Sequence, residues 1–128
     1  LKKSHVGLGL SVCLPLIIDC LTAKNKIFIC EEPEINLHPK LQADIAELIA
    51  DSHLKNNNQF ILETHSEDFL NRVLKLVRKK KISHESVKLH YVTNKNNISN
   101  VKNMNVDSLG RYSNSWKDDI FAEKKREL

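Results

Sequence analysis

The sequence predicts an α/β fold: a parallel sheet flanked by helices and finished by a shorter antiparallel C-terminal piece. Three observations carry that expectation. Two short runs rich in β-branched and aromatic residues, Lys26-Ile27-Phe28-Ile29-Cys30 and Gln59-Phe60-Ile61-Leu62, read as buried strands of a parallel sheet. Each is followed, after a polar break, by apolar residues at helical spacing. A third run, Val87, Leu89 and Tyr91, alternates with polar neighbours as a half-buried strand does.

The elements follow in order. Leu10 to Leu21 is almost continuously apolar, which suits a helix buried on most sides. Pro15 is tolerated best in a first turn, so that helix is expected to begin close to Ser11. The first strand ends in Glu31, Glu32 and Glu34, broken by Pro33. Pro39 suits the first position of a second helix, with Leu41, Ile45, Leu48 and Ile49 on its buried face. Asn56-Asn57-Asn58 is a polar turn into the second strand, which ends at Glu63-Thr64-His65. Ser66 caps a third helix, with Glu67 and Asp68 in its first turn and Phe69, Leu70, Val73, Leu74 and Val77 facing inward. That helix closes on the basic run Arg78-Lys79-Lys80-Lys81. A turn over Asn94 to Asn97 leads into a strand from Ile98 to Lys102, Asp107 to Ser115 is loop, and a short helix is expected from Asp118 onward.

Composition narrows the class. The 128 residues are one domain's worth of chain, or part of one. With 41% hydrophobic residues, 28% charged, three Gly and three Pro, neither a disordered tail nor a collagenous repeat is possible. A net charge of +4 permits a polyanion partner without demanding one, and 5% aromatics excludes a stacking platform for single strands. Cys13, Cys20 and Cys30 form no C-x-x-C pair and are odd in number, so they read as small buried hydrophobes in a reducing cytoplasm. A secretory leader is the competing reading of the opening, with Lys2 and Lys3 ahead of an apolar run. Asp19 before Cys20 and Leu21 before Ala23 spoil its cleavage patterns, and the run is short for a membrane span. The first residue is Leu1 rather than Met, so a fragment or a processed chain is expected.

Three clusters lie where an open α/β sheet places its site, beyond the carboxyl ends of strands. They are Glu31-Glu32, His65, and the Gly7-Leu8-Gly9-Leu10-Ser11 approach to a helix. A Gly-x-Gly ahead of a helix is more often a turn than an anion cradle, and a lone strand-end histidine more often structural. Adjacent acids at a strand end repel and lose solvation, so a bound cation is their natural compensation. The acids and Glu34 are expected to face a phosphate position.

At these residues the chain resembles a known family. Ile27 through Glu34 is similar to the Walker B strand of ABC-type ATPases, and Ile35-Asn36-Leu37-His38-Pro39 lies in the D-loop position. Thr64-His65-Ser66 resembles the switch histidine. Val6 through Ser11 resembles the divergent signature motif of bacterial ATPases related to the overcoming-lysogenization-defect and Septu anti-phage proteins. Asp107, Gly110-Arg111 and Trp116 through Leu128 resemble the C-terminal extension of such ATPases. The resemblance implies part of a P-loop NTPase sheet, with residues 1–93 as the C-terminal half of the ATPase domain and 94–128 as its extension. It implies ATP and magnesium as cofactors, Glu31 in the metal shell, Glu32 polarising the attacking water and His65 at the γ-phosphate. Gly7, Gly9, Ser11 and His38 would contact nucleotide, the glycines and serine across a nucleotide-sandwich homodimer. The implied setting is cytoplasmic, away from membranes, with DNA or a partner nuclease nearby.

The departures are equally specific. No G-x-x-x-x-G-K-[ST] occurs, Glu31 replaces the usual Asp, Val12 a common Gln, and His38 the transporter Asp. The missing phosphate loop is expected in an upstream half. Nothing resembles the nuclease domain of the overcoming-lysogenization-defect proteins. Two alternatives stay open: a silent basic domain docking DNA or protein through Arg78 to Lys81, and a metal-dependent phosphoesterase using Glu31, Glu32, His38 and His65.

Overall fold

A computed structural model describes residues 8–112, which divide between Val73 and Leu74 into two compact units. The expected short helix from Asp118 and residue Gly7 lie outside the described residues. The fold is mixed α/β, with one small parallel and one small antiparallel sheet.

In the first unit, α1 spans Leu8–Thr22, β1 Ile27–Glu31, α2 Pro39–Asn56 and β2 Gln59–Glu63, and α3 (Glu67–Arg78) begins there. Strands β1 and β2 pair in parallel, from Ile27 opposite Gln59 to Glu31 opposite Glu63. Alternation then sorts their side chains. Cys30, Phe60 and Leu62 pack on a core of Cys13, Leu16, Cys20, Leu37, Ile45, Ala46, Ile49 and Phe69. Phe28 stacks on Phe60 with ring centroids 5.2 Å apart. The other face holds Ile27, Ile29 and Ile61, which are 66%, 76% and 55% exposed. The strands are therefore buried on one face, not both as their composition suggested. An apolar run records what a strand can bury, while the neighbours present decide what it does bury.

Helix α1 differs from expectation in the same way. Cys13, Leu16 and Cys20 form its buried stripe, whereas Val12, Leu14, Ile18 and Leu21 are exposed. It starts before Ser11 and carries Pro15 inside. Interior proline forfeits one backbone bond at a cost of about 3 kcal/mol, which the packed stripe on both sides of it offsets. Burial pushes the Cys20 thiol up to about 11 and raises that of Cys30, so both stay protonated as small hydrophobes. Among the described residues no helix is long and apolar enough to cross a membrane.

Pro39 opens α2 as expected, with His38 as its cap and Nδ1 accepting from Lys40 N at 3.4 Å. Its buried stripe is Ala43, Ile45, Ala46, Ile49 and Ser52; Leu41, in the first turn ahead of that stripe, is exposed. The turn after α2 is more than polar filler. Asn57 ends the helix in the left-handed region, and Asn58 is 1% exposed. The Asn58 carboxamide accepts from Lys26 N and donates to the Ala23 carbonyl and the Ser52 hydroxyl, each at 2.9 Å. The approach to β1 is thereby tied to the approach to β2.

The second unit contains the end of α3, a 3-10 turn at His84–Ser86, and the antiparallel hairpin of β3 (Leu89–Lys95) and β4 (Ile98–Met104). Lys80 is left-handed, Lys80 N donates to Val77 O and Lys81 N to Leu76 O, so the basic run forms a Schellman cap. Asn96 and Asn97, at φ 53 and 60, make the two-residue turn that a twisted hairpin prefers. Gly110 has φ +64, and a Cβ there would meet Leu74 O at 2.2 Å, so no larger residue fits. Backbone and side-chain hydrogen bonds from Arg111, and one from Leu109 N, hold the Asp107 carboxyl below its usual range.

Candidate functional site

The site grows from the parallel register. Because Glu31 stands opposite Glu63, the loops leaving β1 and β2 emerge side by side. Glu32 extends the ladder by donating its N–H to Glu63 O at 2.9 Å, then turns into the left-handed region at φ 43. For a non-glycine residue that backbone costs on the order of 1 kcal/mol and persists only where its surroundings impose it. Buried Pro33 follows, and a turn closes with Ile35 N on Glu32 O at 2.9 Å.

His65 meets this turn from the neighbouring loop. Its Nε2 lies 3.5 Å from Glu32 Oε1 and 3.8 Å from Glu63 Oε1. The imidazole is 70% exposed, so these ion pairs contribute little to stability but place a titratable ring among carboxylates. Ser66 caps α3 as expected: its hydroxyl accepts from Phe69 N at 3.0 Å and donates to Gln42 Oε1 at 2.5 Å. Gln42 in turn donates to Leu37 O at 2.9 Å.

Glu34 corrects the sequence reading. Instead of facing a phosphate position it is 4% exposed, and its Oε1 accepts from the Thr64 hydroxyl. Thr64 Oγ1 also accepts from Ser66 N at 3.1 Å. Nothing in the sequence marks Thr64 or Gln42 as partners of this loop; the left-handed turn at Glu32 is what sends Glu34 inward.

The remaining expected residues lie elsewhere. Glu31 is exposed at the end of β1, beside Glu63 on the open face. His38 is occupied as the α2 cap. Ser11 lies exposed on α1. Gly9 is buried, and a Cβ on it would stand 2.4 Å from Asn36 O and 3.0 Å from Leu37 Cδ2. Gly9 thus seats α1 against the loop that carries Glu34 and His38. Gly9→Ala should destabilise by about 2 kcal/mol, although alanine ordinarily favours a helix, because backbone must move to admit it. A thermal melt at or above wild type would contradict that packing. Among the described residues no group of three or more His, Cys, Asp or Glu could hold a metal ion. His38, which the phosphoesterase alternative would place on a metal with Glu31, Glu32 and His65, is the cap of α2.

Two parallel strands with adjoining helices bring Glu32, Glu63 and His65 together at their carboxyl ends, where open α/β sheets place their sites. The chain belongs to the family described as "AAA domain, putative AbiEii toxin, Type IV TA system", whose model matches residues 1–71. It is also similar to Endonuclease GajA of Bacillus cereus (strain HuB5-5), at 27% identity over 128 aligned residues. That alignment covers 85% of this chain and 18% of GajA, so the chain spans less than a fifth of its relative's length. No solved structure matches.

Proposed function

We propose that the chain is the C-terminal portion of an ATP-binding and ATP-hydrolysing ABC-type ATPase, completed by an upstream segment that carries the Walker A loop, with residues 94–128 as an extension of the same domain. The observation that carries this reading is the pairing of Glu32 with His65, 3.5 Å apart, across the carboxyl ends of two parallel strands. Membership of an AAA-domain family supports it. So does the open apolar sheet face of Ile27, Ile29 and Ile61, because a parallel sheet of this class carries helices on both faces.

The chemistry needs positioning and charge control more than covalent steps. Glu32 orients and polarises the attacking water, held outward by its left-handed backbone. The His65 imidazole donates to terminal phosphate oxygens while its contact with Glu32 sets the angle of the ring. The exposed Glu31 carboxylate would hold magnesium, a hard cation suited to an oxygen ligand. When bound, that ion supplies neutralisation of phosphate charge. Gly7, Gly9 and Ser11 contribute to nucleotide on a partner subunit, and His38 contacts nucleotide from the D-loop position. The working setting is cytoplasmic phage defence or DNA maintenance with an associated nuclease, supported by the similarity to an endonuclease.

The intact protein should hydrolyse ATP with magnesium and dimerise in its presence, while the isolated chain should show no saturable ATP binding. Glu31 and Glu32 repel a polyanion: one like charge at ~4 Å costs on the order of 4 kcal/mol at a dielectric of ~20. Calorimetry on the isolated chain and sedimentation of the intact protein measure both. Micromolar ATP binding by the chain alone would place a phosphate site within these residues and overturn the assignment.

A further inference from the structure

We propose that Glu34 is a positioning residue that, through Thr64, fixes His65 against Glu32, an inference whose kinetic readout rests on the ATPase reading above. A carboxylate is a poor choice for a merely structural buried contact, because each unsatisfied oxygen loses its hydration. Glu34 nevertheless lies 4% exposed, with Oε1 on the Thr64 hydroxyl and Oε2 without a partner among the described residues.

The contact joins two loops that otherwise belong to separate strands. On one side, Glu34 follows Glu32 by two positions, and buried Pro33 between them locks the intervening φ. On the other, Thr64 Oγ1 accepts from Ser66 N at 3.1 Å, so the hydroxyl that meets Glu34 also bridges across His65. A second tie runs from Leu37 O through the Gln42 carboxamide to the Ser66 hydroxyl. The loop after β1 and the loop after β2 are therefore stitched twice, and His65 is the residue between the stitches. Among the described residues, the carboxylates of Glu32 and Glu63 are what steer its 70% exposed side chain. The distance between acid and histidine is then set by a buried pair that does not face the site.

The test uses the intact protein and two readouts. Glu34→Ala and Thr64→Val should each lower kcat by about tenfold or more while the KM for ATP stays unchanged, as loss of orientation without loss of binding requires. The double variant should match either single one, because both remove the same link. Thr64→Ser, which keeps the hydroxyl, should restore turnover, and Glu34→Gln, whose amide oxygen still accepts, should keep more of it than Glu34→Ala. Imidazole resonances of His65 in histidine-labelled protein should move in Glu34→Ala and Thr64→Val but not in Thr64→Ser. Fully multiplicative losses, or His65 resonances that stay in place, would overturn the proposal. If Glu32→Gln and His65→Ala hydrolyse ATP normally, the ATPase reading fails instead, and the His65 resonances still decide the role of Glu34.

Discussion

Glu32→Gln in the intact protein should leave ATP binding near its wild-type level while slowing hydrolysis by about 10²–10⁴-fold, the usual worth of a group that positions and polarises an attacking water. The substitution is close to isosteric, so the ladder bond from residue 32 N to Glu63 O and the left-handed turn at φ 43 should survive. What disappears is the charge facing His65 Nε2, 3.5 Å away. Glu31 remains for the metal shell, and removing one carboxylate beside a polyphosphate favours binding if it changes it at all. Single-turnover hydrolysis alongside nucleotide titration separates the two quantities. Turnover at the wild-type rate would transfer the water-orienting role to Glu31, since Glu34 is turned inward onto Thr64.

The contrast between what was legible in the sequence and what was not follows from how far each interaction reaches along the chain. Pro39 at the start of α2, Ser66 as the cap of α3 and the Asn96-Asn97 turn were readable because each is decided by residues within one turn of itself. That the acids and His65 follow neighbouring strands was readable for a different reason: parallel strands in register deliver their ends to one side of the sheet. Glu34 and Asn58 were not, because Glu34 meets Thr64 across 30 residues and Asn58, Ser52 apart, meets Lys26 and Ala23 across more than 30. An acid in an acidic loop reads as solvated, and an asparagine in a run of three reads as turn. The outer faces of α1 and β1 were misread for the converse reason. Apolar composition states capacity for burial, and Ile29 at 76% exposure has that capacity without a neighbour to use it.

Asn58→Ala should destabilise the fold by about 4 kcal/mol, among the largest losses a single buried side chain produces short of a core cavity, yet leave the site chemistry alone. The carboxamide is 1% exposed and makes three hydrogen bonds of 2.9 Å, to Lys26 N, Ala23 O and the Ser52 hydroxyl. Alanine deletes all three and leaves a part-buried N–H and carbonyl and the buried Ser52 hydroxyl to find other partners, at about 1–3 kcal/mol for each that fails. No neighbour supplies a replacement easily: the His53 ring is already on Asn58 O, and Asn57 is engaged with Asn25. The knot lies at the amino ends of β1 and β2, whereas Glu32 and His65 lie at their carboxyl ends, with the length of the paired strands between. The two substitutions should therefore separate cleanly. Asn58→Ala should lower the unfolding midpoint in urea with the m-value unchanged, and the folded protein should retain its kcat. Glu32→Gln should lose kcat with the midpoint nearly in place. A stable Asn58→Ala protein would mean that water or Ser52 satisfies the freed groups. A folded one with altered kcat would mean that the strands transmit the disturbance from one end to the other.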